Sequence, residues 1–87
     1  MPDTIKLANG EIHSCPYLST NPSTQMMFVA LGDVSFAEAS AIFSDPERMC
    51  ELEWGGYRLV GYTNLLYVMV ESYGIKACLT GGHDEQI

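Results

Sequence analysis

The chain has 87 residues, eleven acidic against four basic, and a formal charge of −7. That length is one domain's worth, and a 47% apolar fraction with five Tyr, three Phe and one Trp supports a real core and argues against disorder. The four cations, Lys6, Arg48, Arg58 and Lys76, are scattered, so no nucleic acid or anionic membrane is expected as a partner, since both bind through clustered Lys and Arg.

Three cysteines, Cys15, Cys50 and Cys78, occur without a CxxC pair. A secreted disulfide scaffold of this size carries four or more. The start, Met1-Pro2-Asp3-Thr4, has neither a basic nor an apolar segment of signal-peptide type. The longest uninterrupted apolar runs are six residues, Leu65 to Val70 among them, against about 20 needed to span a bilayer. The cytoplasm is therefore the expected location. A chain this short buries only about 60–65% of its unfolded surface, so its stability margin is thin.

In chain order, Thr4 to Ala8 and Glu11 to Cys15 alternate apolar and polar residues around Asn9-Gly10. Asn-Gly is the strongest two-residue hairpin signal, because both turn positions take positive φ. Ser19 to Thr24 is polar or Pro throughout and reads as a loop. Gln25 to Leu31 reads as a strand covered on both faces.

Gly32-Asp33 ends that run, and Ser35-Phe36-Ala37-Glu38 forms a capping box, in which hydroxyl and carboxylate satisfy each other's backbone N–H groups. Phe36, Ala39, Ile42 and Phe43 then share one helical face. Asp45-Pro46 stops the helix. At about two and a half turns it is too short to stand alone and must pack on a sheet.

Met49 to Trp54 and Tyr57 to Tyr62 flank Gly55-Gly56 and predict a second hairpin. Leu65 to Glu71 and Ile75 to Thr80 predict a third, turning at Ser72-Tyr73-Gly74. Residues 81–87 are mostly polar and read as a flexible tail. The expected organisation is a single α+β domain over residues 1–80, mostly antiparallel sheet in the order β-β-β-α-β-β-β-β, with one short helix on one face. Curling of the sheet or another subunit must cover the other face.

No catalytic constellation emerges. His13 and Cys15, two apart on a strand, face one way. Cys50, Cys78 and His83 could complete a set of four ligands with them only on paper, since structural zinc sites use closely spaced pairs on turns. Cysteines inside strand patterns behave as small buried apolar residues. The chance Cys–His pairings lack a nucleophile elbow, P-loop or HExxH motif. Glu51 and Glu53 share a strand face opposite Cys50, Leu52 and Trp54, which reads as a solvated face. No enzyme activity, metal or cofactor is expected.

The aromatic and Met content exceeds what one short helix covers. Tyr and Trp are enriched in interfaces, so Trp54, Tyr57, Tyr62 and Tyr67 are the candidate interface residues. The alternative is that they fill the second sheet face of a monomer.

Three motifs carry a resemblance: the opening Thr4-Ile5-Lys6-Leu7-Ala8-Asn9-Gly10, the helix Phe36-Ala37-Glu38-Ala39 running to Phe43-Ser44-Asp45-Pro46-Glu47, and Gly61-Tyr62-Thr63. Over roughly residues 4–80 the chain resembles small uncharacterised proteins encoded in prophages of gut Firmicutes, in or near the tail-structural gene block. The resemblance implies a non-enzymatic virion-assembly role, as a tail or baseplate accessory that contacts itself or other phage structural proteins. Homo-oligomerisation is then expected, in the host cytoplasm or on the virion. It transfers no catalytic residue. The runner-up is a small monomeric regulatory module with one protein partner, which recovery of a host enzyme in a pull-down would favour. A metal- or thiol-dependent enzyme ranks third. Thiol alkylation and metal stripping without loss of fold or binding would remove it.

Overall fold

A computed structural model describes residues 3–87. Its elements, in order, are β1 (Thr4–Lys6), β2 (Ile12–Ser14), β3 (Tyr17–Asn21), β4 (Met26–Leu31), α1 (Phe36–Phe43), α2 (Pro46–Met49), β5 (Glu51–Trp54), β6 (Tyr57–Val60), β7 (Asn64–Glu71), β8 (Gly74–Thr80) and β9 (His83–Gln86). The chain is an α+β fold, mostly antiparallel sheet with one short principal helix. The strands form two sheets, ordered β2-β1-β5-β6-β9 and β3-β4-β8-β7. Side chains from both meet in one core, which includes Ile5, Leu52 and Leu59 from the first sheet, Leu7 just after β1, and Met27, Val29, Leu31, Ala77 and Leu79 from the second. Each such buried Leu or Met side chain stabilises the fold by about 1.5–3 kcal/mol.

The hairpins follow from turn chemistry. Between β1 and β2, Gly10 N–H donates to Leu7 O at 3.0 Å and Gly10 takes φ +94°. Asn9 stays at negative φ, so the loop is a three-residue turn with glycine in the left-handed position, rather than the two-residue turn the dipeptide suggests. Between β5 and β6, Trp54 pairs with Tyr57 across Gly55-Gly56, and only Gly55 takes positive φ, +60°. At the start of β8, a Cβ on Gly74 would stand 2.3 Å from Leu31 O, so that close strand approach demands glycine.

α1 starts as its capping box requires: Glu38 N–H donates to Ser35 Oγ at 3.2 Å. Ala39, Ile42 and Phe43 are buried, and the helix packs against β7, β8 and α2. Phe36 departs from the expected apolar face and is 48% exposed. It sits in the first turn, beyond the reach of the sheet. Pro46 ends α1 and also opens α2, where Asp45 Oδ1 accepts from Glu47 N–H at 2.9 Å. Met49 therefore closes a helical turn, and the strand expected from Met49 begins at Glu51.

Two further segments differ from expectation. The polar stretch after Tyr17 is half strand: β3 pairs with β4 from Tyr17↔Ala30 to Asn21↔Met26. It escapes recognition because it is an edge strand, whose residues need not be apolar. Residues 81–87, expected as a flexible tail, carry β9, which pairs with β6 from Tyr57↔Gln86 to Val60↔His83. Backbone pairing secures it, and its four side chains are exposed, so no apolar pattern announces it.

Candidate functional site

The outer faces of the two sheets are chemically opposite. On the first, Lys6, Glu53, Arg58 and Glu85 lie in register across β1, β5, β6 and β9. Arg58 Nε stands 2.6 Å from Glu51 and Lys6 Nζ 4.0 Å from Glu53. These exposed pairs contribute little energy and keep that face wet. Glu51 and Glu53 are thus part of a charged ladder, as expected of a solvated strand face.

The second sheet's outer face is apolar over much of its area, with Asn21, Thr80 and Asn64 making a polar row at one end. Strand alternation places Met27, Val29, Leu31, Ile75, Ala77 and Leu79 inward and turns Tyr17, Phe28, Tyr67 and Met69 outward with Lys76 and Glu71. Tyr17, Tyr67 and Met69 are exposed there, as is Tyr73 in the β7–β8 turn. The Tyr17 and Tyr73 rings stand 5.9 Å apart at 34°. Lys76 Nζ lies 5.9 Å from the Tyr17 centroid and 6.0 Å from that of Phe28, within cation–π range. Its ammonium also meets Glu71 at 3.2 Å, and that hydrogen bond is the main cause raising its pKa above the ordinary value. The face's two charged side chains therefore neutralise each other.

The four candidate interface residues separate. Tyr67 lies on this apolar face. Trp54 and Tyr57 lie at the other end of the molecule's chemistry, lining a cleft of roughly 200 Å³ with Leu18, Thr20, Leu59 and Asp84. This cleft opens where β3 of one sheet approaches β5, β6 and β9 of the other. Tyr62 is a core residue with no exposed surface, which removes it as a contact residue. Its hydroxyl donates to Asp84 Oδ1 at 2.7 Å, and burial, then this bond, raise its pKa above the usual tyrosine value. Thr20 Oγ1 donates to the other Asp84 oxygen, tying the sheets together. The Trp54 indole N–H is buried without an acceptor among the described residues. Tyr17, Met69 and Tyr73 belong to the aromatic and Met surplus visible in the sequence but not to the four candidates drawn from it, and Phe28 to neither. Phe28 and Met69 lie in the apolar runs of β4 and β7, Tyr17 and Tyr73 outside them, and which face each takes depends on register.

His13 sits between two carboxylates, Nδ1 3.1 Å from Asp33 Oδ1 and Nε2 3.4 Å from Glu11 Oε1. Glu11 also accepts from Arg48 Nε at 2.8 Å. Asn9 first, then Arg48 and His13, hold the Glu11 carboxyl down at about 2. This cluster pins the first hairpin to the segments before and after α1. Cys15 is buried, its thiol donating to Tyr17 O at 3.4 Å, and burial pushes its pKa up to about 11. Cys78 is buried too. Cys50, expected in the core beside Leu52, is exposed because it caps α2 instead of starting β5. No group of three or more His, Cys, Asp or Glu placed to share a metal ion occurs among the described residues. No described helix is long and apolar enough to cross a membrane.

Comparison of the chain with protein-family models, with curated proteins and with solved structures found no match.

Proposed function

We propose that this chain is a non-enzymatic structural or assembly protein of phage or prophage origin, a tail or baseplate accessory that acts through contacts with itself or with other phage structural proteins. The observation that carries the contact-based reading is the asymmetry of the sheet faces. Of the eleven acidic residues, Glu71 alone lies on a strand of the second sheet, and it is neutralised by Lys76. An apolar, charge-neutral face on a strongly acidic molecule is what an interface core needs: aromatic and Met side chains present, unpaired charge absent. The phage setting rests on the opening, helix and Gly61-Tyr62-Thr63 motifs. It places the protein in the host cytoplasm during assembly and on the virion afterwards.

The test is co-expression of the untagged chain with the products of its flanking genes, followed by purification of defined complexes. A complex lost on Tyr67→Lys or Tyr17→Lys supports the reading. A stable monomer with affinity for none of those products sinks it.

A second reading is favoured by one observation, the cleft lined by Trp54 and Tyr57. Aromatic-walled clefts accept extended peptide segments, which suits a monomeric regulatory module. Trp54→Ala abolishing partner binding, with Tyr67→Lys silent, would move the assignment there.

A further inference from the structure

Two six-residue apolar runs occur in the chain, Met26 to Leu31 and Leu65 to Val70. The first is β4, which has β3 on one side and β8 on the other. The second forms most of β7, which has β8 on one side and, among the described residues, no strand on the other. Continuous apolar runs belong to strands covered on both faces and flanked on both sides. Edge strands normally carry Lys, Pro, or inward charges that discourage pairing. β7 is the longest strand, with neither Lys nor Pro, and Leu66, Tyr67, Met69 and Val70 on it are all exposed. Its one protective irregularity, the bulge between Leu65 and Tyr67, lies near one end and leaves Tyr67 to Glu71 regular.

We infer that the free edge of β7 pairs antiparallel with β7 of a second copy, joining two four-stranded sheets into one eight-stranded sheet across a two-fold axis. The charges fit a second copy as the occupant, because nothing in the strip repels its own kind. A two-fold axis through Met69 sets Val68 opposite Val70, and Tyr67 opposite Glu71, of the other copy. Antiparallel strands bring Glu71 opposite Glu71 only if they overlap at their tips, so no like-charge pair forms within the contact. Glu71 already has Lys76 at 3.2 Å, so the joined apolar faces stay neutral although each chain carries −7. The regular stretch is about 17 Å long. That is a narrow strip beside the ~800 Å² per partner of a standard interface, so the dimer dissociates in the micromolar range. The inference rests on the contact-based function proposed above and names its surface and partner.

The experiment is sedimentation velocity on the untagged full chain from about 1 μM to about 1 mM, with hydrogen exchange measured at both ends of that range. The expected result is a monomer–dimer equilibrium in which amide protection over Tyr67 to Glu71 rises with concentration. Val70→Lys, at a position 67% exposed, is expected to weaken the dimer at least about tenfold while the circular-dichroism spectrum stays unchanged. A monomer throughout overturns the inference. So does a dimer whose β7 amides remain unprotected, or one weakened by Tyr17→Lys at the far edge but not by Val70→Lys. A monomer that still forms a defined complex with a flanking-gene product overturns the second-copy inference and leaves the functional reading standing. A monomer that binds none of them overturns both.

Discussion

Gly82→Ala is the substitution that most sharply tests how the two sheets are closed. Gly82 lies between β8 and β9 and is buried. A Cβ there would stand 2.5 Å from Cγ and Cδ2 of Tyr62 and 2.6 Å from Val60 O, whereas carbon atoms settle at about 3.5–4.0 Å. Neither neighbour yields easily. Val60 O belongs to a paired strand, and the Tyr62 ring is enclosed and tethered by its 2.7 Å bond to Asp84 on β9. Overpacking costs about 1–3 kcal/mol, and the rigidity here puts the cost near 3. For a domain of this size that lowers Tm by roughly 12–24 °C, a large part of a total stability of about 5–15 kcal/mol. Urea unfolding followed by far-ultraviolet circular dichroism gives the free energy. Tyr62→Phe alone is expected to cost about 1 kcal/mol, the value of one hydrogen bond to a solvated carboxylate. With the tether gone the ring can shift, so the double variant is less destabilised than the sum, by at least about 0.5 kcal/mol. A Gly82→Ala cost below about 0.5 kcal/mol with strict additivity would refute the reasoning. It would mean that residues 81–87 do not dock.

Three further outcomes are expected. Ser35→Ala removes the α1 cap and should lower stability by about 1 kcal/mol in the same urea assay, and no change would mean the capping box is idle. Thiol titration of the native protein should modify Cys50 quickly, and Cys15 and Cys78 only on unfolding, since both are buried out of reach of the reagent; Cys15, with its pKa pushed up to about 11, also forms almost no thiolate at neutral pH. Glu11 has its folded pKa lowered from 4.5 to about 2. Its stabilising contribution is therefore fully present above about pH 4.5 and lost as pH falls through about 2. Glu11→Gln should flatten that part of the acid-unfolding profile, and an unchanged profile would show that its contacts to Asn9, Arg48 and His13 carry no linkage.

How far the sequence discloses the fold depends on whether a segment's signal is local. The capping box at Ser35 and Glu38, the Gly55-Gly56 turn and the strand around Met69 are visible because each is encoded within a few residues. β3 and β9 are hidden because edge strands are held by backbone bonds to β4 and β6, and Ser19, Thr20, His83 and Asp84 carry no apolar alternation. The division into two sheets is likewise non-local: nothing near Tyr17 says that it will stack on Tyr73. Composition does reveal a surplus of aromatic side chains, but not which are surplus. Tyr62 and Tyr67 look alike in sequence. One is sealed under Gly82 and bonded to Asp84, and the other is exposed, because the chain crosses from one sheet to the other between them. Cys50 is misplaced for a related reason, since Pro46 begins a helical turn as well as ending one, and that displaces the start of β5.

The central claim, that the protein works through protein contacts made by the second sheet, is tested most directly by native mass spectrometry. The untagged chain would be measured alone and then mixed with the products of its flanking genes, so that subunit number, partner and any bound metal are read together. The expected result is either a discrete oligomer, which Val70→Lys dissociates, or a defined complex with a flanking-gene product, which Tyr67→Lys dissociates, in both cases without metal mass. A bare monomer that binds none of those products, or a chain carrying a stoichiometric zinc mass, would contradict it.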